Sequence, residues 1–144
     1  MTTPLTFGAV PPEHVALVWP DAETLLAPAI ATAGGRYMPA DIYEQLKTGE
    51  LLLWIAAEDM VPVAAITTRI ARYPQLRALS MDWIGGSRMK DWLPLAHETL
   101  LRYAEQNDCT QFEGYGRKGW SRWLRKFGWE PEYIAYRMDL DHGR

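Results

Sequence analysis

The period of apolar positions changes several times along the chain, and each change predicts an element. Residues 1–12 predict a short strand or arm that Pro11-Pro12 ends. Residues 14–19 and 22–31 read as helical pieces, with Asp21 placed as an N-cap after Pro20 and with Pro28 kinking or ending the second piece. Gly34-Gly35 predicts a flexible turn. In residues 39–47, Ile42, Tyr43 and Leu46 recur at helical spacing, and Gly49 stops the helix. Residues 51–57 are continuously apolar, as in a buried central strand. Glu58-Asp59-Met60 turns the chain into residues 61–72, where Val63, Ala65, Thr67 and Arg69 alternate with Ala64, Ile66, Thr68 and Ile70. After Tyr73-Pro74-Gln75, residues 77–84 form a third strand, with Leu79, Met81 and Trp83 opposed to Ala78, Ser80, Asp82 and Ile84. The short connections predict an antiparallel meander.

The pattern then turns helical. Trp92, Leu95, Ala96, Thr99, Leu100 and Tyr103 make an amphipathic stripe. Residues 111–115 read as a short strand parallel to the third, because a strand–helix–strand unit crosses over right-handedly. Residues 118–127 predict a second amphipathic helix. Its apolar stripe is Trp120, Trp123, Leu124 and Phe127; its basic stripe is Lys118, Arg122, Arg125 and Lys126; Gly128 ends it. Residues 132–140 predict the last strand. The whole is an α+β domain, residues 1–144, built on one mixed sheet with helices on both faces.

Composition adds three limits. A net charge of -3 argues against a surface built throughout for nucleic acid. The single cysteine, Cys109, excludes an internal disulfide and fits a reducing, cytoplasmic setting. No apolar run reaches the length of a membrane span, and the first residues lack the pattern of a secretory signal. The seven Trp and seven Tyr suit a compact core or an interface.

The strand–helix corner, Ile84-Gly85-Gly86-Ser87-Arg88-Met89-Lys90-Asp91, is the candidate anion site. With Ser87 as N-cap, outward amides and the Arg88 and Lys90 cations would flank an anion, at the cost of Pro94 inside the helix. With Asp91 as N-cap, Pro94 falls in the first turn at no cost, but the carboxylate fills the anion position. The second is the cheaper backbone and is expected. The bland alternative is that Gly85-Gly86 is only a turn.

The order of elements resembles the GNAT superfamily of acetyl-CoA-dependent acyltransferases from about Phe7 to Leu140, and Phe127-Gly128-Trp129 resembles the apolar–Gly–aromatic close of that family's last helix. The segment Gly116-Arg117-Lys118-Gly119-Trp120 is similar to a divergent phage-encoded branch. The resemblance implies acetyl-CoA as cofactor and an amine acceptor. It assigns Ile84, Gly85, Gly86, Ser87, Arg88, Lys90, Arg117 and Lys118 to cofactor binding. It assigns Asp82, on the third strand, and Glu113, on the neighbouring parallel strand, to proton removal from the amine. This chain also departs from the family. The glycines come too early, Leu124 stands where the family often has a tyrosine acid, and Trp120 takes a small residue's place.

Other chemistry is sparse. His14, His97 and His142 make no metal-ligand spacing with Cys or carboxylates, and His97-Glu98 reads as solvent-facing. Cys109 reads as a small buried residue. Trp19, Tyr37 and Tyr43 either line an acceptor cleft or pack the N-terminal helices. Three functions follow. The first is an N-acetyltransferase using a CoA thioester and an unknown amine. The second is a catalytically silent GNAT fold binding protein partners or its own copies, as in a phage virion or its assembly. The third and weakest is a nucleic-acid-associated protein using the basic helix.

Overall fold

The computed structural model describes residues 4–116 and 119–140. Five strands lie in the order β1-β2-β3-β4-β5: β1 Leu5–Val10, β2 Leu52–Glu58, β3 Val61–Arg72, β4 Arg77–Gly86 and β5 Gln111–Gly114. The first four pair antiparallel, and β5 is parallel to β4. The meander and the crossover are therefore as expected.

Helices cover both faces. On one side, α1 (Val15–Ala31) and α2 (Pro39–Thr48) bury Ala22, Leu26, Ile30, Ile42 and Leu46 against Leu53 and Ala65. On the other, α3 (Met89–Gln106) buries Trp92, Leu93, Ala96 and Leu100 against Trp54, Ile66, Leu79 and Met81.

Helix α1 corrects the sequence reading. It is one helix with Pro20 and Pro28 inside it, and Asp21 caps nothing. Val15, Ala22, Leu26 and Ile30 lie on one buried stripe at helical spacing, and their burial outweighs the bonds that two prolines remove. By contrast α2 follows expectation: Pro39 opens it, and Gly49 closes it at φ 85°.

Two further corrections concern the C-terminal part. The second amphipathic helix is short: α4 covers Trp120–Leu124 and tightens into a 3-10 turn over Arg125–Phe127 before Gly128 ends it at φ 89°. Residues 132–140 form no strand. Their alternation of apolar side chains meets no ladder partner. Instead the Arg137 guanidinium lies where a side chain on Gly34 would stand. This approach sets the segment beside the α1–α2 connection, with Ile134, Tyr136, Met138 and Leu140 exposed.

Candidate functional site

The strand β4 carries a bulge. Thr67 pairs with Trp83, but Thr68 pairs with Met81, so Asp82 is the extra residue. An inserted residue reverses the alternation beyond it. Trp83 therefore packs with the α1–α2 core and Ile84 with the α3 core, opposite to the faces expected from strict alternation. Pairing of β4 with β5 ends at Met81 and Gly114, whereas β4 stays paired with β3 as far as Gly86. Residues 82–86 thus run past the end of the β5 pairing, and this end of β4 forms the mouth of the sheet at the bulge.

Asp82 and Glu113 lie on adjacent parallel strands, on one face of the sheet. Ser80 and Glu113 are register partners, and the Ser80 hydroxyl donates to Asp82 Oδ1 at 2.6 Å. Arg69 Nε donates to Asp82 Oδ2, also at 2.6 Å. Burial works to lower the Arg69 pKa, but the adjacent Asp82 carboxylate more than offsets it and the pKa rises. On Glu113, Oε1 accepts from the Tyr73 hydroxyl at 2.5 Å and Oε2 from the Tyr115 hydroxyl at 3.5 Å. The bond to Glu113 pushes the Tyr73 pKa up to about 12. The two carboxylates are thus held in place by an arginine, a serine and two tyrosines on the α1–α2 side of the sheet.

The corner at the start of α3 differs from both expected forms. The N-cap is Arg88, in the left-handed region at φ 59°, rather than Ser87 or Asp91, and it makes no side-chain cap. Gly85 and Gly86 belong to β4, not to a turn. A Cβ on Gly85 would stand 2.0 Å from the Leu25 carbonyl oxygen, and one on Gly86 2.3 Å from that of Val63. Both glycines are therefore explained by close backbone packing. The Ser87 amide donates to Val63 O at 2.9 Å, and its carbonyl accepts from Trp92 Nε1 at 2.7 Å. Arg88 is paired with Glu58 and, at 3.0 Å, with Asp91. Those two hydrogen-bonded carboxylates raise its pKa, Asp91 contributing most. Of the leading amides, those of Asp91 and Trp92 already donate to Arg88 O. The corner's charge and much of its backbone are spent internally.

Lys90 is placed elsewhere. It faces a cleft of about 340 Å³ that it lines with Arg122, Trp123 and Lys126. The Arg122 and Lys126 cations lie 5.8 and 5.5 Å from the Trp123 ring centroid. Arg117 and Lys118 lie outside the described residues.

His97 is not solvent-facing. It is half-buried, stacked on Phe127 at 4.6 Å and tilted against Phe112 at 5.2 Å. Its Nε2 accepts from Trp129 Nε1 at 3.0 Å, which makes it the neutral tautomer protonated at Nδ1. Burial lowers its pKa. This clamp ties the segment after α4 to α3 and β5. In the sequence, only the position of His97 between the stripe residues Ala96 and Leu100 pointed to it. Trp19 stacks on Tyr43 at 5.0 Å, joining α1 to α2, while Tyr37 meets the edge of Trp83 at 5.3 Å. Tyr37 thereby reaches the strand that carries Asp82. Among the described residues there is no cluster of metal-ligating side chains, and no helix is long and apolar enough to cross a membrane.

No protein-family model and no curated protein matches the chain. Solved structures do match along nearly its whole length. A ribosomal-protein-alanine N-acetyltransferase from Brucella melitensis biovar Abortus is 16% identical with a TM-score of 0.69, over 95% of this chain and 99% of its own. The aminoglycoside N-acetyltransferase AAC(6')-Iy, solved with CoA, is 13% identical at 0.68, over 97% of each chain. A GCN5-related N-acetyltransferase from Ralstonia eutropha is 13% identical at 0.66, over 94% of this chain and 99% of its own. The fold is that of the GNAT acetyltransferases.

Proposed function

We propose that the chain transfers an acetyl group from acetyl-CoA to an amine of its acceptor. The observation that carries this reading is the bulge at Asp82. It parts β4 from β5, with a carboxylate pair on the α1–α2 side and a cationic cleft toward α3 and α4. A thioester entering between the strands would have its phosphates toward Lys90, Arg122 and Lys126, and its acyl carbon near Asp82. The corner at Ser87 and Arg88 fits that cofactor less well, because Glu58 and Asp91 already hold the arginine.

Acetyl-CoA supplies an activated acyl carbon. The chain's own part is to hold an amine and take its proton. Asp82 is the first acceptor for that proton, since Ser80 and Arg69 fix both of its oxygens. Glu113 lies on the same face, at the β5 position in register with Ser80. As the C–N bond forms and the C–S bond breaks, the amine loses its proton to a carboxylate. The departing thiolate takes one from water, because Leu124 cannot supply it. Tyr37 and Trp83 form an apolar wall on the acceptor side.

Calorimetry with acetyl-CoA tests the reading first, and thiol release with a panel of amines tests it second. A folded sample that gives no heat ends the enzyme reading. The same result would favour a silent GNAT fold acting as a binding component, which draws its support from Leu124 and the neutralised Arg88. Given binding, Asp82→Asn is expected to lower turnover about 100-fold with little change in the affinity for acetyl-CoA.

A further inference from the structure

Two sets of cations lie near the start of α3, and they are disposed differently. Arg88 faces two carboxylates, and its charge is neutralised where it stands. Lys90, Arg122 and Lys126 form no ion pair with a carboxylate among the described residues, and Asp91, next to Lys90 in sequence, is turned onto Arg88. Arg122 and Lys126 are ordered over the Trp123 ring. An aromatic face positions a cation without cancelling its charge, so the charge stays available to a ligand. The cleft's volume of about 340 Å³ falls at the lower end of small-ligand sites, roughly 300–1,000 Å³. It suits the phosphate-bearing end of a nucleotide rather than a whole cofactor.

We infer that this cleft is the chain's main anion-recognition site, and that it reads the phosphomonoester on the nucleotide end of CoA instead of the diphosphate at the β4–α3 corner. The inference rests on the acetyl-CoA reading above. A phosphomonoester near neutral pH carries between one and two negative charges and three acceptor oxygens. Three converging cations match that group better than a diphosphate, whose charge is spread along a linker. Arg122 can engage two of its oxygens at once, whereas Lys90 and Lys126 act as point charges. Recognition has then moved from backbone amides to side chains. The chain would consequently discriminate strongly between CoA and dephospho-CoA, which differ only in that phosphate.

The test is calorimetry on the full chain with CoA, dephospho-CoA, adenosine 3′,5′-bisphosphate and AMP, at two salt concentrations. CoA is expected to bind at least 10-fold tighter than dephospho-CoA, and the bisphosphate to compete with CoA where AMP does not. Arg122→Gln and Lys126→Met should each bring CoA to within about 2-fold of dephospho-CoA. Arg125→Gln, outside the cleft, should leave the ratio intact, and melting curves would show that all variants fold. Equal affinities for CoA and dephospho-CoA would overturn the inference and leave the acetyl-CoA reading standing. No binding of either would overturn both. Tighter binding of a single-stranded oligonucleotide than of CoA, lost in the same variants, would also overturn the inference and reassign the cleft to nucleic acid.

Discussion

Gly85→Ala separates packing from ligand binding as the reason for a glycine at the mouth. The added methyl would stand 2.0 Å from Leu25 O, 2.9 Å from Leu25 C and 3.3 Å from Leu26 Cα. All three are backbone atoms of α1, so no flexible side chain can yield, and relief requires moving α1 from β4 by on the order of 1 Å, as for any overpacked core. Overpacking costs about 1–3 kcal/mol, and backbone opposed to backbone places this site at the upper end. Replacing glycine in a strand returns roughly 0.5–1 kcal/mol of chain entropy. The net loss is then about 2 kcal/mol, or about 8 °C in melting temperature for a domain of this size. Gly8→Ala is the control, since nothing lies within 4 Å of its Cβ position, and it should melt at or slightly above the parent. Circular dichroism melts of the two variants, with acetyl-CoA titrations alongside, decide the matter. If Gly85→Ala melts with Gly8→Ala, the close approach of α1 is refuted. If it keeps its stability but loses acetyl-CoA, the glycine serves the ligand.

Three other outcomes follow from particular side chains. Thr67 is fully buried between Leu53 and Trp83, and its hydroxyl has no partner among the described residues; Thr67→Val should raise stability by about 1 kcal/mol in a denaturant titration, and a loss would refute it. His97 is neutral in the fold with a lowered pKa, so the unfolded chain binds its proton first. Stability from this group is complete above about pH 6.5 and is lost as pH falls from there through the lower folded pKa. His97→Phe should therefore show a smaller drop in melting temperature between pH 8 and pH 5.5 than the parent; an equal drop would clear His97 of any role. Glu58→Gln removes one of the two carboxylates on Arg88 and should tighten acetyl-CoA binding by about 2- to 5-fold, the range of a partly exposed ion pair; unchanged affinity in calorimetry would refute it.

Much of the architecture was legible because it rests on periodicity. The meander strands, α2 and the stripe of α3 are each specified by their own residues. What escaped depends on partners far away in sequence. An inserted residue at Asp82 leaves no mark in local composition, so the exchange of Trp83 and Ile84 between faces was hidden until the register with β3 was known. The shared face of Asp82 and Glu113 could be read from alternation. Their bonds to Arg69 and Tyr73 required strand pairing, and the Arg88–Glu58 pair joins positions 30 residues apart. Residues 132–140 show the opposite failure: the strand pattern is present, but a strand also needs an edge to pair with, which its own sequence cannot supply.

The parting of β4 from β5 bears on how the molecule opens. Strands β2, β3 and β4 are joined by tight turns and pair with their neighbours in sequence. Such hairpins form early and hold to the last. The other lip depends on the crossover and on a strand of four residues, secured from behind by His97, Phe112 and Trp129. One jaw of the mouth thus belongs to the most persistent unit of the fold, and the other to a late-forming, weakly held one. Amide exchange should register this as fast turnover at Gln111–Gly114 beside slow turnover in β3.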